Sequence, residues 1–165
     1  MEQIRLANLN DLSAITDIYN STIAGRKVTA DTELVTVEDR LDWYHAHNNT
    51  RRPLWVLEDE NREICGWASL QNFYGRIAYD GTAEISIYIK ESHRGKGFGR
   101  YLLHYIISQC HQLKVHTLLG FVFGHNNESM KLFHNAGFKE WGHLPGVAVM
   151  DDKRYDLKIL GYKIN

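Results

Sequence analysis

The sequence predicts an α/β or α+β sandwich built around a mixed sheet. Three observations carry that reading. Amphipathic helical segments fill the first quarter of the chain, apolar and polar residues alternate over 82–90, and that alternating strand leads through a glycine-rich turn and a helix into a second apolar strand. In order, Gln3 to Leu6 is a short strand. Leu12, Ile15, Ile18 and Tyr19 recur at helical spacing after Asn10, and Thr36 followed by Asp39 marks a second helix start ahead of Leu41, Trp43 and Tyr44. Leu54–Leu57 and Glu63–Leu70 form a hairpin around the polar turn at Asp59, Glu60 and Asn61. In 82–90, Ala83, Ile85, Ile87 and Ile89 make a core face, with Thr82, Glu84, Ser86, Tyr88 and Lys90 on a polar one. The turn RGKGFG at 94–99 opens a helix through Tyr101, Leu102, Tyr105, Ile106 and Cys110, and Val115–Val122 is the strand that follows. Asn126 to Gly137 reads as a short helix with Gly137 as its C-cap, and Phe138–Trp141 and Tyr155–Leu160 close the sheet.

With 165 residues, 44% of them apolar, the chain fits a single domain over 1–165 that can bury a core without disulfides or metal. A net charge of −1 gives no reason to expect a nucleic-acid surface, which needs a basic face to displace phosphate counterions. Cys65 and Cys110 are the only cysteines, with no CxxC spacing, and read as buried inert thiols. The nine histidines include His45-x-His47 but no metal-binding pattern, so no metal is expected. The first residues lack the apolar stretch of a signal peptide and no apolar run is long enough to span a bilayer, so no membrane association and a cytoplasmic location are expected.

Glycines at a helix start let an anion approach the unpaired N–H groups there, and Arg94, Lys96 and Arg100 add positive charge. Two phosphate motifs are excluded by position. A Walker A loop ending at Gly95-Lys96 would need Gly at 90 and Ser or Thr at 97, where the chain has Lys90 and Gly97. A dinucleotide fingerprint starting at Gly95 would need Gly where Arg100 stands, and no acidic residue ends the next strand.

What remains, Arg94-x-x-Gly97-x-Gly99, resembles the acetyl-CoA pyrophosphate loop of the Gcn5-related N-acetyltransferase (GNAT) superfamily. Downstream, Asn126-x-x-Ser129-x-x-Leu132-Phe133-x-x-x-Gly137-Phe138 is similar to that superfamily's next helix and strand. The resemblance implies a mixed, mostly antiparallel twisted sheet of six to seven strands with about four flanking helices, and central strands 82–90 and 115–122 that splay apart. It implies acetyl-CoA as co-substrate, its pantetheine arm along Ile87, Tyr88 and Ile89. The pyrophosphate would sit on Arg94, Gly95, Lys96, Gly97, Phe98, Gly99 and Arg100, with Asn126 and Ser129 orienting the cofactor.

Over nearly the whole chain the sequence also resembles the phosphinothricin and methionine sulfoximine acetyltransferases. The carrying segments are Ile18-Tyr19-Asn20, Thr29–Glu33, Val37–Tyr44, Gly66–Leu70, Arg76–Tyr79 and Glu84–Ile89. This implies acetylation of the α-amine of a small amino-acid analogue, and a homodimer, with the 141–165 tail as a candidate interface. Glu84 matches the subfamily's general base, acting through water, and a solvated strand glutamate is the alternative. A backbone N–H near Ile87 or Tyr88 would stabilise the oxyanion. Arg76 and Tyr79 could clamp a substrate carboxylate. Trp43, Trp67, Phe73 and Tyr74 are pocket wall or core. Many superfamily members have tyrosine, and phosphinothricin-type enzymes often histidine, where this chain has Phe133, which donates nothing. No general acid is assigned; Tyr88 and His134 are neighbours that could serve. A protein N-acetyltransferase and a non-catalytic acyl-CoA-binding protein stay open as other readings.

Overall fold

The computed structural model describes all 165 residues. Seven strands and four helices follow one another as β1 (Gln3–Leu6), α1 (Leu12–Ser21), α2 (Leu41–His45), β2 (Leu54–Glu58), β3 (Ile64–Asn72), β4 (Thr82–Ile89), α3 (Phe98–Gln109), β5 (Thr117–Phe123), α4 (Asn127–Asn135), β6 (Lys139–Met150) and β7 (Lys153–Lys163). The strands form one sheet in the order β1-β2-β3-β4-β5-β7-β6. Every neighbouring pair is antiparallel except β4 with β5. That pair is joined by a crossover through α3, as a parallel connection requires. No helix is long and apolar enough to cross a membrane.

The sheet buries both faces. On one, Trp55, Ala68, Leu70, Ala83 and Ile85 pack under Leu102, Leu103 and Ile106 of α3 and Phe133 of α4. On the other, Leu54, Val56 and Trp67 meet Ile15, Ile18 and Tyr19 of α1, with Trp43, Tyr44 and Tyr88 at the margin. The alternation in β4 is therefore real, but its second face is not a solvent face. Glu84, Ser86 and Tyr88 are all partly covered there.

Local signals explain the helix limits. Thr36 and Asp39 form the reciprocal pair their spacing predicts, Thr36 N–H donating to Asp39 Oδ2 at 2.8 Å and Asp39 N–H to Thr36 Oγ1 at 3.1 Å. The helix they open is short, a 3₁₀ turn over Glu38–Arg40 running into the five residues of α2. Between α1 and α2 the chain is irregular but tied down. Asn20 exchanges both ends of its amide with the Val35 backbone, and the Tyr19 hydroxyl bonds Thr29 and Asp31.

The closing hairpin is longer than the sequence suggests, with β6 and β7 running to Met150 and Lys163 in place of the predicted 138–141 and 155–160. Two register shifts, at Glu140/Gly142 and Leu144/Ala148, break the alternation that would have revealed β6. Its turn is Asp151-Asp152, both at positive φ (51° and 61°), a conformation usually signalled by Asn-Gly. As the outermost strand, β6 leaves Trp141, Leu144, Val147 and Val149 at least 40% exposed.

At the end of α4, Gly137 (φ +98°) donates to His134 O and Phe138 N–H to Phe133 O, each at 3.0 Å, while the Phe133 and Phe138 rings meet edge to face at 4.9 Å. This is a complete Schellman cap with its hydrophobic contact. A Cβ at 137 would also stand 3.2 Å from the Tyr162 ring. Gly137→Ala is expected to destabilise the fold by about 1–2 kcal/mol, the left-handed penalty of an L-residue; urea unfolding with an unchanged m-value would measure it.

Candidate active site

β4 and β5 pair over three residues only, Thr82 with Thr117, Ala83 with Leu118 and Glu84 with Leu119. Beyond Glu84 each keeps its outer partner, β4 with β3 to Ile89 and β5 with β7 to Phe123, so their inner edges part around a gap. Strand parity identifies what lines it. Gly81 O accepts from Thr117 N–H at 3.2 Å, towards β5, whereas Lys90 N–H donates to Cys65 O at 2.8 Å, towards β3. Backbone groups alternate in direction along a strand, so Ile85, Ile87 and Ile89 face β5 and Glu84, Ser86 and Tyr88 face β3. The N–H and C=O of Ile87 and the N–H of Ile89 are thus open to the gap. Tyr88 is a correction to the expected backbone trio: its main chain belongs to the β3 ladder, and only its ring remains to offer.

The glycine loop stands at the mouth of this gap. Gly95 and Gly97 have φ of +74° and +87°, and a Cβ at either would meet no atom within 4 Å, so the backbone requires glycine while the space above it is open. Gly97 precedes α3, and no side chain caps that helix. The first-turn amides of Phe98, Gly99 and Arg100 accordingly lack intrahelical partners. Arg94, Lys96 and Arg100 are exposed around them, and Arg94 Nε reaches back to Ile89 O at 3.1 Å. A Cβ on Gly99 would come within 3.4 Å of Leu132 Cδ2 and 3.8 Å of Ile89 Cγ1, which wedges the start of α3 between β4 and α4. His93 anchors the base of the loop, with Nε2 3.1 Å from Asp59 Oδ2 and its ring stacked on Phe98.

Glu84 sits where the strands part. Its carboxylate is half-buried on the α1 face, with no hydrogen bond and no ion pair, and burial alone raises its pKa above the ordinary carboxylate value. Along the same face Tyr88 stacks on Trp67 with ring centres 4.4 Å apart and planes 11° from parallel. Tyr19 and Trp43 complete an aromatic wall at 5.4 Å from Tyr88 and 5.3 Å from Trp67. The Arg40 guanidinium lies over Trp43 at 3.7 Å and Tyr19 at 4.5 Å. Arg40 was not singled out by sequence reasoning; its only signal was membership of the 37–44 segment.

The remaining expected residues divide. Asn126 caps α4, accepting from Ser129 N–H at 3.1 Å, while its Nδ2 donates to Lys27 O at 3.1 Å and only 4% of the residue is exposed. Both ends of the amide are engaged within the protein, so Asn126 acts by holding α4 and the 26–29 segment in place. Ser129 is partly exposed on the first turn of α4 and its hydroxyl has no partner. Arg76 and Tyr79 border an open cleft of about 320 Å³ in the loop before β4, together with Asn72, Phe73 and Ile77. Phe73, Tyr74 and Tyr79 cluster with ring centres 4.5–5.9 Å apart, and the Arg76 side chain is exposed and unpartnered. Phe133 is core: it is 5% exposed, and its ring covers Gly120 of β5, where a Cβ would come within 3.3 Å. No three His, Cys, Asp or Glu residues come together as a metal site.

Residues 14–138 match the sequence profile of the acetyltransferase (GNAT) family. The chain belongs to the GNAT family. It is 55% identical over 162 residues, 98% of this chain and 99% of the relative, to the Bacillus subtilis protein named "Putative phosphinothricin acetyltransferase YwnH". It is 30% identical, over 98% of this chain and 94% of the relative, to a Salmonella typhimurium L-methionine sulfoximine/L-methionine sulfone acetyltransferase. A Salmonella typhimurium structure solved with its cofactor acetyl-CoA superposes with a TM-score of 0.91 at 29% identity, covering 99% of this chain and 94% of that one. The seven-stranded, mostly antiparallel sheet with four helices is the GNAT fold, and the protein is an N-acetyltransferase.

The raised pKa of Glu84 fixes the sign of a stability effect. A carboxyl whose folded pKa exceeds its unfolded one stabilises the fold while protonated and loses that contribution as pH rises through the folded value. Glu84→Gln is therefore expected to melt at a higher temperature than the wild type at pH 7–8. The two curves should converge below about pH 4, where the carboxyl is protonated in both states; thermal unfolding across that range tests it.

Proposed function

We propose that the protein transfers acetyl from acetyl-CoA directly to the α-amine of a small amino-acid analogue of the phosphinothricin or methionine sulfoximine type, with Glu84 as general base through a water. One observation carries the proposal: an unpaired, half-buried carboxylate stands at the vertex of a strand gap that opens onto an uncapped, glycine-started helix. The relatives' names supply the substrate class.

The site fits acetyl-CoA. Open space over Gly95 and Gly97 admits a phosphate to the free amides of α3, with Arg94, Lys96 and Arg100 around it, and the open edge at Ile87 and Ile89 can pair with an extended amide-bearing arm. When bound, acetyl-CoA supplies an acetyl group activated as a thioester. The protein does the rest. Glu84 takes the proton that keeps an ammonium from attacking, and its raised pKa brings its basicity closer to neutral pH. The Ile87 N–H is the open donor best placed by strand parity to receive a carbonyl oxygen that gains negative charge. Ser129 and the loop amides hold the cofactor, while Arg76 and Tyr79 contribute to the substrate side from their cleft.

The first test measures thiol release from acetyl-CoA with L-methionine sulfoximine, L-methionine sulfone and phosphinothricin. Amine-dependent release is expected, and its absence with all three would refute the substrate class. Glu84→Gln should lower kcat by about 10²–10⁴-fold and remove the acid limb that the wild type shows as pH falls through the carboxyl's raised pKa. Gly97→Val should weaken acetyl-CoA binding at least about tenfold by placing a branched side chain at positive φ over the amides. Calorimetric titration reads that effect, and unchanged affinity would remove the loop from the proposal.

A further inference from the structure

Arg40 is an arginine that the fold immobilises and leaves without a bonded anion; the acid that acts on it, Asp31, is itself bonded to the Tyr19 hydroxyl. Its guanidinium is gripped by Trp43 and Tyr19, with Trp67 at 5.9 Å, yet none of its nitrogens makes a hydrogen bond. Nε is fully buried without a partner, whereas the two terminal nitrogens still reach solvent. Arg51 and Arg52 also leave Nε buried without a partner, but, like Arg5, they bond through other nitrogens. Arg5 bonds Asp11 and Glu58, Arg51 bonds Asp80, and Arg52 bonds the Asp80 and Thr82 carbonyls. Arg40 is also not alone in lacking an acceptor. Trp67 Nε1, His47 Nε2 and Ser69 Oγ are buried and unpartnered, and Trp43 touches His47 at 4.7 Å and Trp67 at 5.3 Å. Four of the six such atoms in the molecule gather on this face, two of them obligate donors. Buried donors without acceptors are costly, and cation–π contacts offset only part of that cost.

Register relates this face to the reaction. Trp67 pairs with Tyr88, Ser69 with Ser86 and Gln71 with Glu84, so the Arg40 box and the proposed base share one face of β3 and β4, with Ser86 between them. Four residues of strand span about 13 Å, a distance that a small α-amino acid and one bridging water can cover. We infer that Arg40 is the specificity-determining anchor for the substrate's α-carboxylate, held by its aromatic box so that the α-amine is directed towards Glu84. A planar guanidinium fixed on rings takes a carboxylate through two parallel hydrogen bonds. Arg76, exposed and unpartnered, is the weaker place for that ion pair and is left for the distal sulfoximine, sulfone or phosphinate oxygens.

This inference rests on the amino-acid acetyltransferase reading, and its test separates the two. The probes are L-methionine sulfone and 3-(methylsulfonyl)propylamine, the same amine without its carboxylate. Arg40→Met is expected to raise KM for methionine sulfone by about 10–100-fold, the loss of a charge-assisted pair, with Arg40→Lys intermediate. It should leave KM for the carboxylate-free amine and for acetyl-CoA within about twofold. Equal losses on both amines would make Arg40 a structural residue and overturn the inference. Should the wild type acetylate neither amine, the functional reading fails, and thermal shift still decides the anchor. Methionine sulfone should then stabilise the wild type but not Arg40→Met, and no shift with the wild type overturns the inference as well.

Discussion

The structure turns on one limited interaction, the three-residue parallel pairing of β4 with β5. Had the ladder continued past Glu84, the sheet would be closed and featureless at its centre. It stops because each strand is committed elsewhere along its full length, β4 to β3 and β5 to β7, and because helices enter on the inner side. Gly99 permits α3 to start against Ile89 and Leu132, and Gly120 permits α4 to lay Phe133 on β5. Two missing Cβ atoms thus let two helices approach the parted strands. The open amides of Ile87 and Ile89, the uncapped end of α3 and the vertex at Glu84 are consequences of that geometry.

The two sheet faces divide the work. The α3 face is aliphatic and closed, with Leu102, Leu103, Ile106, Leu70 and Leu118 fully buried, which gives the gap rigid walls. The α1 face is aromatic and cationic, with Trp67, Tyr88, Tyr19 and Trp43 packed around Arg40. None of the Arg40 nitrogens is bonded, whereas Arg5, Arg51 and Arg52 each bond a carboxylate or carbonyl through at least one nitrogen. A rigid apolar face and a polar-rimmed aromatic face meet along β4, whose alternating side chains feed both.

How much of this could be read beforehand follows from which signals are local. The capping pair Thr36/Asp39, the stripe of α1, the alternation of β4 and the Gly137 cap depend on neighbours in sequence, and each was legible. The glycine loop was legible as a tight turn opening an uncapped helix because positive φ leaves a residue signature. The extent of β6 was not, since bulges and Pro145-Gly146 erase its period and Asp151-Asp152 is an uncommon turn pair. The allocation of Ile87 and Ile89 to the gap and Tyr88 to β3 needs hydrogen-bond parity, which depends on partners 20 or more residues away. Arg40 was invisible because its meaning lies in what it lacks: only the assembled box shows a guanidinium with rings for neighbours and no acid bonded to it.

Packing also accounts for Phe133, where the family resemblance implies tyrosine or histidine. The residue supplies the C-terminal contact of the Schellman cap, covers Gly120 and joins the core, so an aromatic ring is required there whether or not it carries a hydroxyl. In the proposed reaction no general acid is needed at this position, because a thiolate, with a conjugate acid near about pKa 8.5 for an ordinary thiol, can leave the tetrahedral intermediate without prior protonation. Tyr88 does not restore the donor at low cost, since burial drives its hydroxyl pKa well above the ordinary phenol value. In the proposed mechanism proton transfer accordingly falls on the amine side, where Glu84 is a carboxylate with no partner to hold its proton affinity down.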